Sequence, residues 1–202
     1  MVRVKVCGVT SVDQAVECAE LGVDAIGVNF VPASPRLVDE TTAKAIERAV
    51  GSRVLVVAVV AGMEVEAMRA LRDRTGVGCL QLHGDEPDEC LVPLLPHAYK
   101  AVRVATADDV ASADATPGDY VMVDARVPGM LGGTGHVLDW ALVAPLAKRR
   151  RLVLAGGLTP DNVRAAVEAV RPWCVDVASG VETSPGVKDM RRVRAFVQAA
   201  RG

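Results

Sequence analysis

Val2-Arg3-Val4-Lys5-Val6-Cys7-Gly8-Val9-Thr10 opens the chain by alternating apolar and charged residues and then turning at a glycine. A period of two is that of a strand with one face buried. The turn decides between two folds. A strand feeding a doubly wound dinucleotide-binding sheet would run into Gly-x-Gly-x-x-Gly, and here Cys7-Gly8-Val9-Thr10 stands instead. The same strand-then-helix pattern recurs along the chain. β-Branched runs at 2–7, 24–29, 53–60, 78–82, 98–103, 119–124, 151–155 and 173–178 alternate with helical patterns at 11–22, 40–50, 63–75, 86–94, 106–113, 140–148, 160–170 and 189–200. Ser11, Asp139 and Thr159-Pro160 stand where three of these helices would start. Eight βα units at roughly 25 residues each, with no composition break, predict one closed (β/α)8 barrel spanning residues 1–202 as a single domain.

Composition supports that reading. Half of the 202 residues are hydrophobic but only 3% are aromatic, so the core must be built from Val, Leu and Ala. Such residues suit parallel strands covered by alanine-rich helices. The net charge is −2 with both signs interleaved, which gives no footprint for nucleic acid or for a membrane surface. The one basic run, Lys148-Arg149-Arg150-Arg151, is read as the cationic end of a helix. Five cysteines, with no Cys-x-x-Cys spacing, speak against a disulfide framework or a zinc site. No apolar stretch reaches membrane-spanning length, and a reducing cytoplasm is the expected setting.

In a barrel of this kind, chemistry belongs at the C-terminal ends of the strands. Cys7 ends the first. A cysteine is most often a small buried hydrophobe, but beside a glycine loop it can be exposed and reactive on a rigid support. Lys5 lies on the same strand face as Cys7, and Asp176 on the last strand also points inward. The two read either as a buried pair fixing the interior or as groups that tune the thiol and orient a substrate. The second strand leads into Ser34-Pro35-Arg36, where Arg36 is either a bidentate grip for a carboxylate or phosphate, or an ordinary solvated loop residue. The fourth ends at Gln81-Leu82-His83-Gly84, with His83 favoured as a hydrogen-bonded pocket wall over an acid or base. The sixth ends at Asp124, costly to bury unless paired or functional. A long loop follows with Gly132-Gly133-Thr134-Gly135, which is either a lid with glycine pivots or a plain connection. Gly156-Gly157 and Ser179-Gly180 follow the seventh and eighth strands, where barrels commonly hold a phosphate on backbone N–H groups and a short helix.

Taken as an ordered set, these residues resemble the phosphoribosylanthranilate isomerase family. The resemblance rests on Lys5-Val6-Cys7-Gly8-Val9-Thr10, Ser34-Pro35-Arg36, Gln81-Leu82-His83-Gly84, Gly132-Gly133-Thr134-Gly135, Asp139-Trp140, Ala155-Gly156-Gly157-Leu158, Ser179-Gly180-Val181-Glu182 and Pro185-Gly186-Val187-Lys188-Asp189. It spans nearly the whole chain. It implies a cofactor-free Amadori rearrangement of N-(5-phosphoribosyl)anthranilate in tryptophan biosynthesis. Asp124 matches the general acid, Cys7 the general base and Arg36 the holder of the anthranilate carboxylate; the two glycine loops match the phosphate site. It implies a phosphorylated small-molecule substrate, no metal, and either a monomer or a homodimer. Two departures stand out: Val57-Ala58-Val59-Val60-Ala61-Gly62 replaces the family's Phe-Val-Asn stretch, and His136-Val137-Leu138 is less aromatic than the family pattern. Related sugar isomerases of histidine biosynthesis use an aspartate where this chain has Cys7. A Schiff-base aldolase would need a desolvated mid-barrel lysine, and nothing beside Lys100 suggests one.

Overall fold

The computed structural model describes residues 1–124 and 140–202. Eight parallel strands close into a barrel in sequence order: β1 (Arg3–Cys7), β2 (Ala25–Asn29), β3 (Leu55–Val60), β4 (Cys79–Leu82), β5 (Ala98–Arg103), β6 (Tyr120–Asp124), β7 (Arg151–Ala155) and β8 (Cys174–Val177). Among the described residues, eight helices wrap it: α1 (Val12–Glu20), α2 (Glu40–Val50), α3 (Val65–Thr75), α4 (Asp88–Leu91), α5 (Ala107–Ala115), α6 (Trp140–Ala147), α7 (Val163–Val170) and α8 (Met190–Arg201). β8 pairs back onto β1 with Lys5 opposite Asp176, which completes the closure.

Strand alternation divides the core in two. Outward residues such as Val4, Val6, Ile26, Val28, Leu80 and Leu152 are fully buried against Ala15, Ile46, Met68 and Phe196 of the helices. Inward residues Val57, Tyr99, Ala101, Met122, Val153, Ala155 and Cys174 form a second cluster inside the barrel. That interior is narrow and partly polar, since Lys5, Gln81 and Asp176 are buried there as well.

Several boundaries differ from the pattern in the sequence, each for a local reason. The expected third strand from 53 starts at Leu55, because Gly51–Arg53 form a 3-10 turn in which Arg53 donates to the Ala49 and Val50 carbonyls at the end of α2. The helix expected from 160 begins at Val163; the Asn162 side chain accepts from the Thr159 amide and holds the preceding residues as a turn. The helix expected over 86–94 is α4 followed by a 3-10 turn, Val92–Leu94, whose Pro93 has no N–H for an α-helical bond. After Ser179 the short helix is a single 3-10 turn, Ser179–Val181. It runs into an unanticipated hairpin of β9 (Glu182–Ser184) and β10 (Val187–Lys188). The basic run follows α6 and does not close it. Arg149 pairs with Asp114 at 2.8 Å, and Arg150 donates to the carbonyl of Asp114 in the last turn of α5 and to those of Thr116 and Gly118 beyond it. Those arginines therefore stitch α5 to the barrel, as a structural role requires.

Candidate active site

Cys7, Arg36, His83, Asp124, the two glycine loops and Asp176 converge on one cavity of about 380 Å³ at the C-terminal ends of the strands. A larger cavity, about 520 Å³, opens at the opposite mouth and is lined by strand-start residues including Arg3, Ala25, Leu55 and Trp173. Convergent titratable groups mark the smaller one as the place for chemistry.

Cys7 ends β1 and is partly exposed to this cavity. Its neighbour in register on β2 is Gly27, and the space a Cβ would take there is filled from two sides. A methyl on Gly27 would lie 2.8 Å from the Cys7 Sγ and 3.1 Å from the Lys5 Nζ. The thiol and the ammonium thus sit over the same bare backbone. Lys5 donates to Asp176 Oδ1 at 3.0 Å, so the sequence's buried pair is formed, directly beneath the thiol. Burial pushes the Cys7 thiol up from its ordinary value; Lys5 and Lys188 pull it down, and Asp176 pushes it up again. Burial alone would lower the Lys5 ammonium, but the charges of Asp176, Cys7 and Tyr99 and the hydrogen bond to Asp176 together outweigh it and hold the pKa well above the ordinary lysine value.

Asp124 reaches the cavity from the end of β6, where its carboxyl is largely shielded from solvent. His83, just past β4, brings Nε2 to 3.4 Å from Asp124 Oδ2. Behind His83 the barrel interior continues the polar contact. Gln81 Nε2 lies 2.5 Å from His83 Nδ1, and the Tyr99 hydroxyl donates to Gln81 Oε1 at 2.8 Å. Arg103 of β5 stands beside them on the cavity wall. Val59 and Ala61 also line it, so the departure at the end of β3 falls on the pocket itself.

Arg36 is not a solvated loop arginine. Its Nε and Nη2 donate to Glu182 at 2.8 and 2.6 Å, a fork-on-carboxylate pair with Arg36 one-fifth exposed. The side chain crosses Gly8, whose φ of 77° and missing Cβ leave the room; a Cβ there would collide with the Arg36 Cδ. Glu182 also accepts from Lys188 Nζ at 2.7 Å, and Lys188 donates to the Cys7 carbonyl. Burial alone would raise the Glu182 carboxyl, but the hydrogen bonds from Arg36 and Lys188 prevail and hold it below the ordinary value. One carboxylate on the hairpin therefore fixes both Arg36 and the backbone under the thiol.

The two glycine loops meet. A Cβ on Gly180 would collide with the Leu158 carbonyl, so the β8 loop packs backbone to backbone against the β7 loop. Asn162 braces the β7 loop by donating to the Gly157 carbonyl at 3.0 Å. Gly156, Gly157 and Ser179 border the cavity, and the 3-10 turn that starts at Ser179 begins at its wall. Gly133 and its neighbouring loop glycines, with Asp139, lie outside the described residues. Lys100 is paired with Asp88 at 3.0 Å. Among the described residues no cluster of three or more His, Cys, Asp or Glu side chains has a metal-binding arrangement. No described helix is long and apolar enough to cross a membrane.

Glu182, Lys188, Gln81 and Tyr99 were not assigned roles from the sequence. Glu182 stood inside a quoted motif, and its partner lies 146 residues away. For Tyr99 the only available signal was a phenol in an otherwise aromatic-poor strand.

The family model for N-(5'-phosphoribosyl)anthranilate (PRA) isomerase matches residues 4–199. An N-(5'-phosphoribosyl)anthranilate isomerase of Pseudomonas aeruginosa (strain LESB58) is 46% identical over 207 residues, covering 99% of this chain and 95% of that protein. One of Myxococcus xanthus (strain DK1622) is 46% identical over 205 residues, covering 99% and 96%. The crystal structure of phosphoribosyl anthranilate isomerase from Thermotoga maritima superposes with a TM-score of 0.92 at 38% identity, over 100% of both chains. A second crystal structure, at 0.89 and 35% over 100% of both chains, is that of a phosphoribosyl anthranilate isomerase in complex with reduced 1-(o-carboxyphenylamino)-1-deoxyribulose 5-phosphate. The chain belongs to the N-(5'-phosphoribosyl)anthranilate isomerase family.

Proposed function

We propose that the protein converts N-(5'-phosphoribosyl)anthranilate into 1-(2-carboxyphenylamino)-1-deoxyribulose 5-phosphate, in tryptophan biosynthesis, with Asp124 as general acid and Cys7 as general base. The observation that carries this reading is the shared cavity: a carboxyl from β6 and a thiol from β1 face one space of about 380 Å³, with Arg36 and the glycine loops on its wall. The Asp124 carboxyl gives its proton to the furanose ring oxygen as the bond from that oxygen to C1 breaks, leaving an iminium at C1. The iminium acidifies the C2–H, and the Cys7 thiolate removes that proton to give the enolamine. Loss of the C2 hydroxyl proton and protonation at C1 then yield the ketone, with no net gain or loss of electrons.

The surroundings suit those tasks. Lys5, against the thiol, favours the thiolate that burial opposes. His83 next to Asp124 offers a partner for the carboxylate left after the first step. Arg36, clamped by Glu182, takes the anthranilate carboxylate, and the Gly156-Gly157 and Ser179-Gly180 loops take the phosphate. Anchoring the substrate at both ends holds the sugar between acid and base, which is where orientation contributes most. A reducing compartment keeps Cys7 a free thiol, as all five cysteines are in the structure. Complementation separates this from the histidine-pathway isomerisation. The gene should restore growth to a tryptophan auxotroph lacking this step and leave the corresponding histidine auxotroph unrescued. Failure in the first strain would refute the reading.

A further inference from the structure

We propose that Tyr99 and Gln81 are positioning residues for the reaction: a hydrogen-bonded chain inside the barrel fixes which nitrogen of His83 carries its proton, and thereby how His83 meets Asp124. The inference rests on the assignment of Asp124 as the acid.

The chain follows from the sheet. Gln81 on β4 and Tyr99 on β5 are register partners, so both side chains project into the barrel at the same level. Gln81 is fully buried and Tyr99 is 7% exposed. His83 lies two residues after Gln81 on the same face, one layer nearer the cavity. Asp124 ends the next strand but one and meets its ring.

The direction of each bond is set from the buried end. Burial pushes the Tyr99 phenol well above its ordinary value, so it remains an O–H donor. That proton goes to Gln81 Oε1 at 2.8 Å. Turning the amide over would present NH2 to the phenol and strand a buried O–H without an acceptor, which is the expensive arrangement in a dry interior. The amide therefore keeps its oxygen on Tyr99 and its NH2 on His83 Nδ1, 2.5 Å away. A nitrogen that faces an NH2 donor must hold a lone pair, so the neutral ring carries its hydrogen on Nε2. Nε2 is the atom 3.4 Å from Asp124 Oδ2.

The consequence for the acid is specific. An N–H directed at Oδ2 leaves the acidic proton of Asp124 to the other oxygen, and it provides a donor for the carboxylate once that proton has gone to the sugar. The opposite tautomer would aim a lone pair at the carboxyl and draw its proton toward the imidazole, away from the substrate. Tyr99 and Gln81 need not touch the substrate to matter; they act through His83.

The test reads the tautomer directly. Imidazole nitrogen chemical shifts of uniformly 15N-labelled enzyme distinguish the two forms, and the chain has only three histidines, so His83→Asn assigns the signals. The wild-type His83 should be the Nε2–H tautomer. Tyr99→Phe should shift it to a mixture and lower kcat about tenfold at unchanged KM. Gln81→Glu, whose carboxylate accepts from Nδ1–H, should impose the opposite tautomer and lower kcat about a hundredfold. The wild-type measurement needs no variant to fold: an Nδ1–H tautomer there would overturn the proposal. So would a Tyr99→Phe enzyme in which the tautomer shifts while kcat stays the same. Failure of the acid assignment itself would look different, as near wild-type turnover in Asp124→Asn with the His83 tautomer unchanged.

Discussion

The thiol of Cys7 lies among charges that oppose one another. Desolvation and Asp176 favour the neutral thiol, while Lys5 and Lys188 favour the thiolate. Removing the Asp176 charge should therefore make Cys7 easier to ionise. In Asp176→Asn the pH midpoint for alkylation of Cys7 by iodoacetamide should move downward from the wild-type value; an upward move would contradict the electrostatic account. This part of the site was legible in the sequence because strand alternation alone puts Lys5 and Cys7 on one face. Asp124 and His83 were legible for a related reason, each standing where a strand ends, and Arg36 because it lies in the loop that follows β2. What alternation could not give was pairing across the barrel. Whether Arg36 was solvated or engaged depended on Glu182, and whether His83 was a bare wall residue depended on the chain through Gln81 to Tyr99, which only the strand register brings beside Gln81.

At the level of elements, the β9–β10 hairpin is the device the strand-and-helix pattern did not reveal. Its seven-residue span from Glu182 to Lys188 is too short and too polar to register as a strand pair. Yet it joins the two ends of the chain: Thr10 donates to the Gly186 carbonyl at 2.7 Å, and Lys188 donates to the Cys7 carbonyl. Glu182→Gln leaves the Lys188 ammonium, which is wholly buried, without its carboxylate. Breaking a buried pair of this kind costs roughly 3–5 kcal/mol, to be read from urea unfolding. The pH dependence has a definite sign. A carboxyl held low in the folded state adds stability above its unfolded value and loses it as the pH falls through its folded value. The gap between wild type and Glu182→Gln should thus be full above the ordinary glutamate value of 4.5 and should close on further acidification. A gap independent of pH would argue that Glu182 acts by shape and not by charge.

Across the whole molecule, the eightfold alternation was readable from one chain because each unit repeats the same two periods, two for the strand and 3.6 for the helix. Boundaries slipped where a side chain captured the backbone, as Arg53 does after α2 and Asn162 does before α7, and where Pro93 ends α4 early. Closure then gives the barrel two mouths with different contents. The N-terminal one is wide and lined by strand starts, while the C-terminal one gathers a thiol, a carboxyl, an imidazole, a guanidinium and two glycine loops from separate strands. The central claim is that the thiol and the carboxyl divide the proton transfers between them. Steady-state turnover of N-(5'-phosphoribosyl)anthranilate by purified wild type, Cys7→Ser and Asp124→Asn tests it most directly. Each variant should lose about 10²–10⁴-fold in kcat, the usual share of one acid or base, while still binding the phosphorylated product. Turnover near the wild-type rate in either variant, with binding intact, would contradict it.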